Sequence, residues 1–235
     1  MAKKRSGAEG LIYLLMGVML VMTAYMAVKG TAEFVISSKV EKAKMCVVID
    51  AGHGGADPGK VGINGALEKE INLQIAKKVK TYLEMEGIHV VMTRNDENGL
   101  YDEGAENKKV QDMKRRIELI EKEKPALTVS IHQNSYPEEY VKGAQVFYYK
   151  DSRESEYAAK MMQKNLRERV DAENKREAKA NVSYYLLKKT SSPIIIVECG
   201  FLSNKEEAQR LTQESYQEQL AWAVFMGIMQ TLYTR

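Results

Sequence analysis

Two histidines stand at the ends of apolar runs that predict β-strands. His53 follows the run 46–50 within the glycine-rich stretch DAGHGGADPG at 50–59, and His132 closes the run 126–132. Glycines let the backbone turn sharply, and the carboxyl ends of parallel strands meet at one edge of a sheet. An ordinary surface-loop histidine would explain His53 alone, but two histidines at one rim favour a shared site.

Glu68 begins a predicted helix over 67–85. It precedes the apolar stripe of that helix by one turn and lies on the same face, whereas Glu70 is rotated by about 200° and should face solvent. The stripe consists of Ile71, Ile75, Val79 and Leu83. An inward carboxylate needs a partner, which makes Glu68 a candidate ligand, with favourable placement at the positive end of the helix dipole as the alternative.

Glu198 closes the most hydrophobic run, 193–197, at the same predicted rim. Two imidazoles and one carboxylate are a ligand set typical of catalytic zinc, and hydrolysis at such a metal needs a group that takes and returns protons. The sequence therefore predicts that His53, Glu68 and His132 bind Zn²⁺ and that Glu198 is catalytic, although a solvated strand end would also explain Glu198.

Other residues with chemical potential are assigned to lesser roles. Cys46 begins one predicted strand and Cys199 lies past the end of another, so a disulfide between them is not expected. His89 opens its strand and should lie at the opposite rim, as a structural or exposed residue. Arg94 and Asn134 follow strands at the candidate rim, where they would orient ligands or substrate or, for Arg94, form a surface ion pair.

Strand and helix patterns alternate along residues 45–235. The predicted strands are 46–50, 88–93, 126–132, 144–149 and 193–198, and the predicted helices are 67–85, 107–123, 153–170 and 216–233. Several strands are apolar on both faces, as in sheets that helices cover on both sides. This predicts an α/β fold with a mostly parallel central sheet flanked by helices on both faces.

The N-terminal segment predicts a single membrane helix. The basic run Lys3, Lys4, Arg5 precedes 18 uncharged residues at 11–28, which is long enough to span a bilayer and orients the rest of the chain outward. Small residues at 30–32 leave a cleaved signal segment as the alternative. The predicted organisation is an anchor or signal segment at 1–30, a stalk at 31–44 and a catalytic domain at 45–235.

Charge argues against a nucleic-acid partner. The formal net charge is +3, but residues 1–32 hold four of the 35 Lys and Arg residues and one of the 32 Asp and Glu residues. The remainder is therefore neutral, without the excess of basic residues that nucleic-acid binding requires.

Five motifs, taken in order, resemble those of the zinc-dependent N-acetylmuramoyl-L-alanine amidases. They are VIDAGHGG at 48–55, GALEKEINL at 65–73, MTR at 92–94, SIHQNS at 130–135 and VECGFLSN at 197–204. The resemblance implies cleavage of the amide between muramic acid and the first alanine of the peptidoglycan stem, with the same ligand set and catalytic glutamate. Ala51 replaces an expected proline and Gln133 an expected alanine, and neither departure removes a ligand.

The layout of one membrane segment and one catalytic domain resembles the germination-specific members of that family in endospore-forming bacteria. This implies spore-cortex peptidoglycan as substrate, muramic-δ-lactam formation together with a partner deacetylase, and a location in the forespore intermembrane space. Control would come from a regulatory partner protein or from the timing of synthesis.

Two other functions remain open at this stage. A zinc peptidase that cuts within the stem peptide would use the same metal chemistry. A non-catalytic wall-binding module would tolerate loss of Glu198, which this sequence retains.

Overall fold

The computed structural model describes the backbone of residues 7–234 and the side chains of residues 9–31 and 45–234. The basic run at Lys3, Lys4 and Arg5 lies outside the described residues. The chain divides into two compact units, Met1–Lys44 and Met45–Arg235.

Within the described part of the first unit, helix α1 covers Gly7–Lys44. Its segment Glu9–Thr31 has a mean hydropathy of 2.2 and is long and apolar enough to cross a membrane, a test that a signal sequence also passes. The helix continues through 31–44, the segment predicted as a stalk.

The second unit contains a single six-stranded sheet within the described residues, in the order β2-β1-β3-β6-β4-β5. Four of the neighbouring pairs are parallel and the β4–β6 pair is antiparallel. The mostly parallel sheet is confirmed. The strands are β1 (Cys46–Ala51), β2 (His89–Met92), β3 (Leu127–Asn134), β4 (Gln145–Tyr149), β5 (Lys179–Asn181) and β6 (Ile194–Phe201).

Helices cover both faces of this sheet. One core, formed with α2, α4, α6 and α7, includes Val47, Ile49 and Val197, and the other, formed with α3 and α5, includes Val48 and Ile196. Alternate strand residues therefore enter opposite cores. This arrangement was predicted from the strands that are apolar on both faces. The helices are α2 (Glu68–Met85), α3 (Lys108–Glu123), α4 (Arg153–Arg169), α5 (Tyr185–Lys189), α6 (Lys205–Leu211) and α7 (Glu214–Tyr233).

The loop between β1 and α2 is fixed to the rest of the unit. Val61 bridges to Leu67, and the Ile63 amide donates to the carbonyl of Leu202 at 2.9 Å. The loop therefore holds its residues close to the carboxyl ends of β1, β3 and β6, where the chemistry was predicted.

Candidate active site

A cleft of about 510 Å³ opens at the carboxyl ends of the strands. All four predicted site residues line it, and they come from the β1–α2 loop, α2, β3 and β6. Its walls also carry Lys60, Lys109, Tyr184 and Tyr185. The concave site thus lies where the α/β topology places ligands.

His53, Glu68 and His132 converge on one point in this cleft. His53 Nε2 lies 3.2 Å from Glu68 Oε1, and His132 Nδ1 lies 2.9 Å from the same oxygen. The ring centroids are 4.9 Å apart, and the three ligating atoms all lie within 4.8 Å of one another. This is a spacing at which three side chains can share one cation.

Glu68 is held as a buried anion. It is 1% exposed, and its Oε2 accepts from the Lys60 amide at 2.7 Å while its Oε1 accepts from the Gln133 amide at 3.0 Å. Burial raises its pKa, but hydrogen bonds and charges of His132 and His53 outweigh burial and hold the pKa well below the usual range. Glu70 is exposed, as predicted.

His53 has a backbone conformation that few non-glycine residues adopt, with φ 62°. Two contacts hold it there: its Nδ1 lies 2.9 Å from Asp57 Oδ2, and its carbonyl accepts from Arg116 Nη2 at 2.6 Å. Strained residues persist where their surroundings over-determine them, and a carboxylate on the outer nitrogen is the usual support of a ligating histidine. His53 is therefore presented with Nε2 toward the cleft.

Two glycines make room for these ligands. A Cβ at Gly52 would overlap the imidazole of His132, and one at Gly59 would lie 2.5 Å from Glu68 Oε2. These glycines therefore let the backbone pass close to the point where the three donors meet.

His132 is paired with the buried carboxylate of Glu68. Although burial lowers the pKa of His132, Glu68 raises it to about 9.

Glu198 lies next to His132, its partner in the β3–β6 register, so both side chains are on one face. It is 7% exposed, and its Oε2 is buried without a hydrogen-bond partner among the described residues. Burial, and then the charge of Glu68, raise the pKa of Glu198 to about 7. A carboxyl group that titrates near neutrality is suited to proton transfer.

A buried ion network under the site was not predicted. Arg116 Nη1 donates to Asp50 Oδ1 at 2.5 Å and Arg116 Nε to Asp112 Oδ2 at 2.6 Å, and Ser130 also donates to Asp50. Two features of the sequence could have revealed this network. Asp50 directly follows an apolar run, as Glu198 does, and Arg116 lies one turn before Ile120 on the apolar face of α3.

Arg94 and Asn134 have different roles at this rim. Arg94 is 3% exposed and donates to the carbonyls of Ala51, Gly52 and Lys69 at 2.7 to 3.1 Å. It therefore braces the backbone around His53, and the surface ion pair considered for it is wrong. Asn134 lines the cleft, and its Oδ1 accepts from the amide that follows it.

The donors suit a divalent cation of the zinc type. Two imidazoles and a carboxylate leave a further coordination position for water or substrate, and the unpartnered oxygen of Glu198 is on the side of the strand pair that carries His132. Fold and site together define an α/β protein with a hydrolase-like centre.

Comparison with known proteins gives the family. Residues 47–230 match the N-acetylmuramoyl-L-alanine amidase family. The chain is 37% identical over 186 residues to the germination-specific N-acetylmuramoyl-L-alanine amidase of Bacillus subtilis, covering 78% of each chain. The chain therefore belongs to the N-acetylmuramoyl-L-alanine amidases. Its activity is hydrolysis of the amide between N-acetylmuramic acid and L-alanine in peptidoglycan.

Solved structures agree with this assignment. The CwlD amidase of Clostridioides difficile, solved in complex with the GerS lipoprotein, is 39% identical with a TM-score of 0.79, covering 82% of this chain and 100% of that one. The amidase AmiC2 of Nostoc punctiforme is 35% identical with a TM-score of 0.69, covering 82% and 98%.

Proposed function

We propose that the amidase reaction of this chain depends on Zn²⁺ held by His53, Glu68 and His132, with Glu198 as the catalytic carboxylate. The observation that carries this proposal is the convergence of three donors within 4.8 Å beside a buried carboxyl oxygen that has no hydrogen-bond partner among the described residues.

Each residue then has a defined task. Zinc bound there would supply a Lewis acid that acidifies water and polarises the scissile carbonyl. Glu198 accepts the proton of the attacking water and returns it to the departing alanine nitrogen. Asp57 fixes the ring of His53, and the Gln133 and Lys60 amides hold the carboxylate of Glu68 in place.

The biological setting is proposed from the relatives. The similarity to a germination-specific amidase supports spore-cortex peptidoglycan as the substrate, with the stripped muramic acid passing to a partner deacetylase for muramic-δ-lactam formation. The amidase of Clostridioides difficile was solved with a lipoprotein, which supports a lipoprotein as regulatory partner here.

Helix α1 supports a proposal for the location. A helix able to cross a membrane supports an enzyme outside the cytoplasm, anchored or exported through that segment, and in a sporulating cell the forespore intermembrane space. The cortex substrate would be reached from there.

The catalytic roles are tested on purified peptidoglycan with the full chain in detergent. We expect mass spectrometry to show release of whole stem peptides, abolished by a chelator and restored by zinc. Glu198→Gln should keep zinc and fold but lose hydrolysis by about 10²- to 10⁴-fold. Glu70→Gln, which changes an exposed carboxylate of α2, should hydrolyse at the original rate.

Two results would contradict these roles. Truncated stems would identify a peptidase that cuts within the stem, and undiminished turnover by Glu198→Gln would exclude its proton-transfer role.

The proposed role in the spore cortex has a separate test. Expression of this chain in a spore former that lacks its own germination-specific amidase should restore muramic-δ-lactam to the cortex. A cortex without lactam would contradict the proposed role.

A further inference from the structure

A second cluster of metal-ligating side chains lies at the opposite edge of the sheet from the cleft. Cys46, His89 and Glu123 each offer a donor atom, and these atoms all lie within 4.8 Å of one another. We propose that this cluster is a second binding site for a divalent transition metal, with Zn²⁺ as its natural occupant.

The fold explains why these three residues meet. Cys46 and His89 are partners in the parallel β1–β2 register, so their side chains lie side by side on one face. Two residues further along, Val48 and Val91 enter the core that α3 covers through Ile120.

Glu123 completes the cluster from the end of α3. It follows Ile120 by three residues, which keeps it on the helix face that packs against the sheet. The cluster thus joins the first residues of two strands to the last residue of a helix, and its geometry follows from the packing of the core.

The donor chemistry favours zinc over the hard cations. A thiolate, an imidazole and a carboxylate are the three kinds of ligand that proteins offer to Zn²⁺, whereas Ca²⁺ and Mg²⁺ take oxygen. Tetrahedral zinc places sulfur and nitrogen ligands about 3.5 Å apart. His89 is exposed and Cys46 and Glu123 are half-buried, so the side chains can close the remaining distance while water takes the fourth position.

This site is separate from the catalytic centre. Cys46 begins β1, whereas His53 follows its end at Ala51, so the two sites are about 17 Å apart along an extended strand. The thiol of Cys46 is free. An ion bound there would tie α3 to β1 and β2, and this inference does not depend on the metal of the active site.

Cobalt distinguishes the two sites by spectroscopy. The full chain in detergent, titrated with Co²⁺, should develop a near-ultraviolet sulfur-to-cobalt charge-transfer band from the thiolate of Cys46. The donors of the catalytic site include no thiolate, so this band reports only on the second site. Cys46→Ser should lose the band, and His89→Asn and Glu123→Gln should each weaken cobalt binding by at least about 10-fold. Zinc analysis should find one zinc ion fewer per chain in Cys46→Ser.

Matched controls keep the result specific. Glu118→Gln changes an exposed carboxylate of the same helix, and Cys199→Ala removes the buried thiol of β6; both should retain the band. No band in the wild-type chain at saturating cobalt, a band that persists in Cys46→Ser, or unchanged affinity in both the His89 and Glu123 variants would overturn the proposal.

Discussion

Gly59 lies beside Glu68 with φ 69°, and a Cβ there would lie 2.5 Å from Glu68 Oε2. We expect Gly59→Ala to displace that carboxylate and to weaken zinc binding by at least about 10-fold, measured by competition with a chelating dye. Gly65 is the matched control because its φ is 82° but a Cβ there would meet no atom within 4 Å. Gly65→Ala should lower only the free energy of unfolding, by about 1 kcal/mol; equal zinc affinities would contradict the crowding argument.

The pKa of Glu198 predicts an acidic limit to activity. Burial raises it to about 7 without a metal, and a bound cation lowers it toward the ordinary value of about 4.3. Since only the ionised form accepts a proton, kcat/KM should rise with pH through a midpoint between these values. Zinc content measured at each pH separates this effect from metal loss, and a flat profile from pH 4 to 8 would contradict it.

The sequence pointed to the residues that line the candidate site more readily than to the residues that hold them in position. His53, Glu68, His132 and Glu198 were identifiable because each follows or begins a strongly apolar element. The contact of Asp57 with His53 depends on the positive φ of His53, and loop conformation of that kind is not encoded in a periodic pattern. Arg116 could have been found from its place in an apolar stripe.

Among the elements, β1 and α3 are joined by the buried pair of Asp50 and Arg116, which are 1% and 2% exposed. Removing one member leaves an uncompensated buried charge, so Arg116→Met should lower the free energy of unfolding by about 3–5 kcal/mol, measured by urea denaturation. The neighbouring Arg115 pairs with Asp102 at the surface, and Arg115→Met should change stability little. Equal losses in the two variants would show that burial of the pair is not the cause.

The same pair predicts how stability depends on pH. Although burial raises the pKa of Asp50, Arg116 and Ser130 lower it to about 2, against about 3.9 in an unfolded chain. Its contribution, about 2.6 kcal/mol, is therefore fully present above pH 4 and is lost as the pH falls through 2. Denaturation at pH 4 and pH 2 should show a larger loss in the wild-type chain than in Arg116→Met, and the reverse order would contradict the assignment.

Apolar strands and long helices were predictable, and short helices and a polar strand were not. The four predicted helices and five predicted strands all exist with boundaries shifted by at most three residues. The sequence missed β5, because its three residues contain no apolar run, and it missed α5 and α6, because five and seven residues are too few for a helical period to be recognised. The antiparallel direction of β4 was also missed, since alternation of apolar residues is the same in either direction.

At the scale of the whole molecule, the division into two units after Lys44 predicts that membrane attachment and hydrolysis can be separated. All residues of the candidate site belong to the unit Met45–Arg235. A chain that starts at Met45 should therefore remain in the soluble fraction and hydrolyse soluble muropeptides at the rate of the full chain, whereas the full chain should sediment with membranes and resist carbonate extraction. Loss of hydrolysis in the shortened chain would show that α1 contributes to catalysis.

Arg116 joins two properties that selection can act on separately. Its guanidinium closes the ion network with Asp50 and Asp112 and also holds the carbonyl of His53. Replacing such a network by well-packed apolar residues often makes a protein more stable, but here it would release the strained loop that presents the imidazole. Selection for thermal stability alone would therefore enrich variants that are more stable but less active. Engineering for thermal stability should retain Arg116.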